Sequence, residues 1–357
     1  MIRSAAMETG NRGEGKIVAD HTQRIVLAHG GGGQLTDELI ERRVLPRLGN
    51  NVLNELLDSA ILRNIPACDL AMTIDGYVVQ PWKFPGGDIG RLSVSGTVND
   101  LAVSGAEPLG LALSFILAEG FAGKDLDEIV NSIAQTAAEA GVKIITGDTK
   151  VVGRGQADGI YIVTSGVGRV RRDAKVGPSR VKPGQKLIVN GAVGEHGLAV
   201  MLTREMPEVT SVLRTDAAPL NKLIAKVLDA VGTGVTFMRD PTRGGLAGLC
   251  SDLAKQSAQR VTLNEVAIPI RSESRHAAEM LGLDPLEIAN EGKVVMAVEA
   301  EVADRVMEIL RNDPLGVAAS VIGEIGTEAD GRCEILTEIG GRRVLQKPYG
   351  EQLPRIC

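Results

Sequence analysis

The chain has 357 residues, enough for two domains of ordinary size. A net charge of −6 and an aromatic content of 2% exclude a general nucleic-acid or anionic-membrane surface and a base-stacking platform. The few cysteines, Cys68, Cys250, Cys333 and Cys357, form no Cys-x-x-Cys pair, which argues against a zinc site or a disulfide framework.

Residues 1–23 are polar and Gly-rich without an apolar signal core, and read as a disordered N-terminal extension. The longest apolar run, 109–118, is too short to span a bilayer. These features describe a cytoplasmic protein with reduced thiols. A first domain is expected over 24–170. It opens with a short strand at 24–28 and the loop His29-Gly30-Gly31-Gly32-Gly33, followed by a helix to about residue 48. Backbone N–H groups of such a loop can turn toward an anion, or the loop can simply be mobile. A strand at 70–79 carries Asp75, whose burial costs energy unless it is paired or binds a cation. Pro85-Gly86-Gly87-Asp88 leads into a helix running to residue 104. Asp88 is either its N-cap or a ligand, and Asn99-Asp100 lies on the helix.

The apolar run 109–117 reads as a strand. Leu126, Ile129, Val130, Ile133, Ala134 and Ala137 then recur at helical spacing. A strand at 142–146 is expected to end in Gly147-Asp148-Thr149-Lys150. That tetrad offers a carboxylate, a hydroxyl and an ammonium, the groups that Mg²⁺ and phosphate oxygens need, unless it is a plain turn. The basic stretch 169–184 serves as linker.

A second α/β domain is expected over 180–345. Gly194-Glu195-His196-Gly197 opens a helix, with His196 either catalytic or structural. A strand at 235–238 enters Arg239-Asp240-Pro241-Thr242-Arg243-Gly244-Gly245, a strand–loop–helix cradle with Asp240 available to a metal. Glu291, at the entrance of the strand 294–299, is a candidate base or part of a surface turn. A hairpin around Gly340-Gly341 precedes an extended tail, 346–357, expected to be mobile and to end in a reactive thiol, Cys357. Its own terminal carboxylate is expected to raise that thiol's pKa, with Arg355 offsetting part of the effect.

The ordered set Thr73-Ile74-Asp75-Gly76, Gly87-Asp88-Ile89-Gly90, Val98-Asn99-Asp100-Leu101 and Gly147-Asp148-Thr149-Lys150 resembles the ATP-binding half of the aminoimidazole ribonucleotide synthetase (PurM-like) superfamily. Asp240-Pro241-Thr242-Arg243-Gly244-Gly245 resembles a motif of its second half. Asn290-Glu291-Gly292-Lys293 and the closing Pro354-Arg355-Ile356-Cys357 are similar to the hydrogenase-maturation carbamoyl dehydratases within it. The resemblance implies a two-domain α/β fold of the α+β type, with a mixed-sheet ATP domain, an α/β C-terminal domain and a flexible tail. It implies that a carbamoyl group on Cys357 is dehydrated to a thiocyanate with ATP and Mg²⁺. The carbamoyl donor would be the carbamoyltransferase HypF and the acceptor the iron-carrying HypC–HypD complex. A homodimer through the N-terminal domain is also implied. By match, the catalytic residues are Cys357, Glu291, Lys150 and His196. The nucleotide site takes Asp75, Asp88, Asn99, Asp100, Asp148, Thr149, Gly31, Gly32, Gly33, Asp240 and Arg243. The metal ligands among these are Asp75, Asp88, Asp100 and Asp240.

Overall fold

The computed structural model describes residues 24–31, 34–56, 59–62, 64–347 and 355–357. The expectations for residues 1–23, for Gly32 and Gly33 and for most of the tail lie outside the described residues. Arg24 makes a single bridge to Ala122 in place of the expected strand, and Leu27–Gly30 forms a 3₁₀ turn. A continuous helical stretch follows, as α1 (Gln34–Leu39), a π-helical turn (Ile40–Val44) and α2 (Leu45–Leu48).

The first sheet is built from β1 (Leu70–Tyr77), β4 (Ala106–Ala118), β5 (Ile144–Val152) and β6 (Ile160–Val170), in the order β1-β6-β4-β5. Only β4 and β5 run parallel. A short hairpin of β2 (Lys83–Phe84) and β3 (Gly87–Asp88) leads into α3 (Ile89–Val103). One face of the sheet is covered by α3 and by α4 (Gly123–Ala140), which buries Leu126, Ile129, Val130, Ile133 and Ala137 and closes on Gly141 in the left-handed region. On the other face Leu70, Met72 and Ile74 are 56, 78 and 67% exposed.

Gly147-Asp148-Thr149-Lys150 lies inside β5, where a loop at a strand end was expected. A Cβ on Gly147 would stand 2.4 Å from the Leu113 carbonyl oxygen. The glycine therefore serves close approach to β4, and the strand runs straight through it.

The second sheet has the order β13-β12-β9-β11-β7-β10-β8. Its strands are β7 (Lys186–Val189), β8 (Val235–Arg239), β9 (Val261–Asn264), β10 (Val295–Val298), β11 (Ser320–Ile325), β12 (Cys333–Leu336) and β13 (Arg342–Leu345). Two cores flank it. Leu187, Val189, Val295 and Ala297 face α7 (Gly245–Ser257), whose Leu246, Leu249, Cys250 and Leu253 are buried. Ile188, Met296 and Val298 face α6 (Asn221–Val231) and α9 (Ala303–Arg311). The remaining helices, α5 (Glu195–Glu205) and α8 (Ser272–Leu281), pack on each other beside the sheet. α3 is buried almost all round because it lies between the first sheet and the second half of the chain.

Candidate active site

The strand period of two puts Thr73, Asp75 and Tyr77 of β1 on the face toward α3. There the Thr97 hydroxyl donates to Asp75 (3.3 Å) and the Thr73 hydroxyl donates to Asp100 (2.7 Å). Burial, then the negative charge of Asp100, pushes Asp75 up to about 6. From the second half come Asp240, just past β8, and Glu291, ahead of β10. Asp240 is pushed up to about 7 by burial and then by Asp100. Glu291 is raised well above the carboxylate range by burial and then by Asp240. Asp75, Asp240 and Glu291 are thus each disfavoured as charges by burial and by neighbouring carboxylates across the junction of the two halves.

The last residues of the chain close over this cluster. Val78 N–H donates to Cys357 O (3.2 Å), Gln80 N–H donates to Arg355 O (3.2 Å), and Arg355 Nε donates to Val78 O (3.1 Å). Ile356 is 3% exposed and joins the first core. The Cys357 thiol is pushed up to about 11 by burial and then by Glu291, and Arg243 bonds it and partly offsets the rise. The upward direction matches expectation but the causes differ. Burial and Glu291 raise it, and Arg243 plays the part expected of Arg355, whose guanidinium pairs with Asp158 (2.6 Å).

Two matches identify the architecture. Residues 57–170 fit the model of the AIR synthase related protein, N-terminal domain, and residues 182–335 fit that of its C-terminal domain. The chain is 44% identical over 334 residues to carbamoyl dehydratase HypE of Rhizobium leguminosarum bv. viciae, covering 94% of this chain and 95% of that one. The chain belongs to the HypE carbamoyl dehydratase family. A crystal structure of hydrogenase maturation protein HypE in complex with ATP superposes with a TM-score of 0.88 at 39% identity, covering 93% of this chain and 99% of that one. The HypE chain of a HypE–HypF complex superposes with a TM-score of 0.75 at 39% identity, over 88% of this chain and 100% of that one.

Seen as a HypE-family site, the assembled groups are Asp75, Asp100, Asp240, Glu291, Arg243 and Cys357. Several expected members stand elsewhere. Asp88 caps α3, accepting from Arg91 N–H (2.9 Å), and Asp100 lies twelve residues further along, about 18 Å away at 1.5 Å per residue. One cation cannot bridge that gap, so Asp88 and Asp100 cannot share an ion, and Asp88 acts here as a helix cap. Asn99 is buried with its amide consumed by Ala218 O, Glu291 O and Leu220 N–H, which makes it a tie between the halves with no group free for a nucleotide. Asp148 and Lys150 pair with each other (2.8 Å) on the open face of the first sheet. They sit three strands from β1, about 14 Å away, and on the opposite face from Asp75. The Lys150 ammonium holds Asp148 below the usual carboxylate range. Thr149 points the other way and is buried. Gly31 ends the turn Leu27–Gly30, and Gly30 packs on β5, where a Cβ would meet Val151 N at 2.3 Å. No helix among the described residues is long and apolar enough to cross a membrane.

His196 is fully buried, and burial lowers its pKa. Its Nε2 bonds the Ile356 carbonyl and its Nδ1 the Thr215 hydroxyl. It touches the tail's backbone, so of the two roles expected for it, catalytic or structural, its bonds fit the structural one. Two groups escaped the sequence reading. The Tyr77 hydroxyl faces Thr97 and is raised by burial and then by Asp75. Its signal was available, since it follows Asp75 by two residues on one strand. Asp216 accepts from Glu291 N–H and Gly292 N–H (both 3.2 Å) and pairs with Lys293 (3.0 Å). Nothing local in the sequence marks it.

Proposed function

We propose that the chain dehydrates a carbamoyl group carried on Cys357 Sγ to a thiocyanate at the expense of ATP. The observation that carries this reading is the docking of the Cys357 thiol on Arg243, within the field of Glu291 and the carboxyls around it. Hydroxide leaves an amide carbon poorly. Transfer of the γ-phosphoryl group of ATP to the carbamoyl oxygen makes phosphate the leaving group. The C–O bond then breaks, the N–H protons are lost, and the C≡N bond forms. The balance is S-carbamoyl plus ATP giving S-cyano plus ADP and phosphate.

Glu291 is the base in this scheme: a carboxylate whose burial and neighbours raise its pKa binds a proton tightly once ionised. Arg243, already at the sulfur, steadies the carbamoyl oxygen or the phosphoryl group arriving there. Magnesium fits the donor set, because hard oxygen ligands with uncompensated charge are what it takes. Among the described residues no closed cage of three or more ligands forms. Asp75, Asp100 and Asp240 would therefore hold the ion together with the phosphates. Bound there, it supplies neutralisation of charge on the transferring phosphoryl group.

Two copies pair, in this reading, through the open face of the first sheet. Its support is the exposed Leu70, Met72 and Ile74 on a face that α3 and α4 leave uncovered. Pairing brings the Lys150 and Asp148 of one copy toward the cleft of the other, which gives them the nucleotide role they cannot reach alone. The free thiols fit action in the cytoplasm. HypF is the proposed carbamoyl donor and the HypC–HypD complex the acceptor of the cyano group on its iron.

The test is intact-mass analysis with a HypF-type carbamoyltransferase, its carbamoyl donor and ATP. The expected record is gain of one carbamoyl on Cys357, then loss of one water. Cys357→Ala should show neither change. Dehydration in the absence of ATP would overturn the scheme.

A further inference from the structure

The hydrogen bonds around His196 run in one direction. The Ile356 carbonyl can only accept, so Nε2 carries the proton and donates to it (3.0 Å). Nδ1 is then an acceptor and takes the Thr215 hydroxyl proton (2.7 Å). The Thr215 oxygen in turn accepts from Ala217 N–H (3.0 Å). The ring is wedged edge-on against Phe84, with centroids 5.4 Å apart and planes at 83°. Thus Ala217 N–H, Thr215 O–H and His196 Nε2–H form a one-way chain ending on the tail's backbone. The next residue, Asp216, holds the backbone of Glu291 and Gly292. A single loop, 215–217, therefore sets both the orientation of His196 and the position of the Glu291 loop.

We infer that His196 is the latch of the tail, a positioning residue whose neutral Nε2–H holds the Ile356 carbonyl so that Cys357 Sγ stands at Arg243, facing the carboxyl cluster. Thr215 selects the tautomer that can do this. Without its hydroxyl the Nδ1–H tautomer, which cannot donate from Nε2, gains weight. The inference deepens the dehydratase reading by naming how the carried substrate is presented, and rests on that reading for its purpose. Its geometry can be tested without any turnover.

The experiment follows modification of Cys357 by Ellman's reagent at pH 8, on the full chain in a Cys68→Ser background. Cys250 and Cys333 are buried and stay silent. Docked, Cys357 should react slowly. His196→Ala should speed it about tenfold, the equilibrium factor carried by one buried hydrogen bond. His196→Gln, which keeps a donor at the same reach, should return the rate close to that of the parent. Thr215→Val is nearly isosteric and does not depend on the alanine variant folding. It orphans Ala217 N–H as well as Nδ1, so it should lower the melting temperature modestly, and at a temperature where both chains are folded it should speed modification several-fold. Equal rates in the parent, His196→Ala and Thr215→Val would overturn the latch, as would a His196→Gln rate equal to that of His196→Ala. Loss of dehydration with the labelling pattern intact would instead count against the proposed chemistry and leave the latch standing.

Discussion

Asp75 and Asp240 hold protons in the folded chain up to about 6 and about 7, whereas an unfolded chain releases them near ~4. Between those limits the native state binds more protons than the unfolded state. Without a cation, these two groups therefore lower stability as pH rises through that window, and the loss levels off above about 7. A divalent cation with ATP compensates the same charge, so its stabilising effect should grow across the window. The melting-temperature gain from Mg²⁺-ATP should be clearly larger at pH 8 than at pH 5.5; an equal gain would remove these carboxyls from the site. Asp216 offers a second measurement. Although burial opposes its charge, the Lys293 ammonium and the Glu291 N–H hold it below the ordinary range. Asp216→Ala strips a partner from a buried ion pair, a change that costs about 3–5 kcal/mol. Chemical denaturation should show a loss of that order, and a loss under ~1 kcal/mol would mean that Glu195, the other partner of Lys293, carries the pair alone.

Among the elements, α3 departs from ordinary helix rules by carrying Gly96 in its interior. Replacing an interior helical glycine with alanine normally stabilises by ~1 kcal/mol. Here the new Cβ would stand 2.2 Å from the Tyr77 hydroxyl oxygen. Overpacking, at about 1–3 kcal/mol, should win. Gly96→Ala should lower the melting temperature and weaken ATP binding, and adding Tyr77→Phe should recover part of both. Full ATP binding by the single variant would show that β1 tolerates the shift. The same elements show what a sequence can and cannot disclose. The apolar stripe of α4 and the strand-to-loop passage at Asp240 were legible, since periodicity and turn residues report local geometry. Asp88 was ambiguous between cap and ligand until the length of α3 separated it from Asp100. Gly147 imitated a turn, although it serves a close strand contact. Asp148, Lys150 and Asp75 looked like one set because motif order along a chain carries no information about sheet order or sheet face. Asp216 was invisible because its role comes from a loop 75 residues away in sequence.

At the scale of the molecule, the face carrying Leu70, Met72 and Ile74 is the proposed seam between copies. Glutamate at Met72 and Ile74 together should yield monomers by light scattering, with folding kept and turnover lost. A dimer that survives both charges would place the seam elsewhere. The two faces of the first sheet have a genetic consequence. In the proposed scheme Asp75 and Glu291 act on one side and Lys150 on the other, so the proposed dimer builds each centre from two polypeptides. Alleles dead for opposite reasons should then complement. Lys150→Ala and Glu291→Gln chains, each inert alone, would on random mixing place both defects in one centre of a heterodimer and leave the other whole. Half the dimers would be mixed, and about a quarter of the parental activity should return.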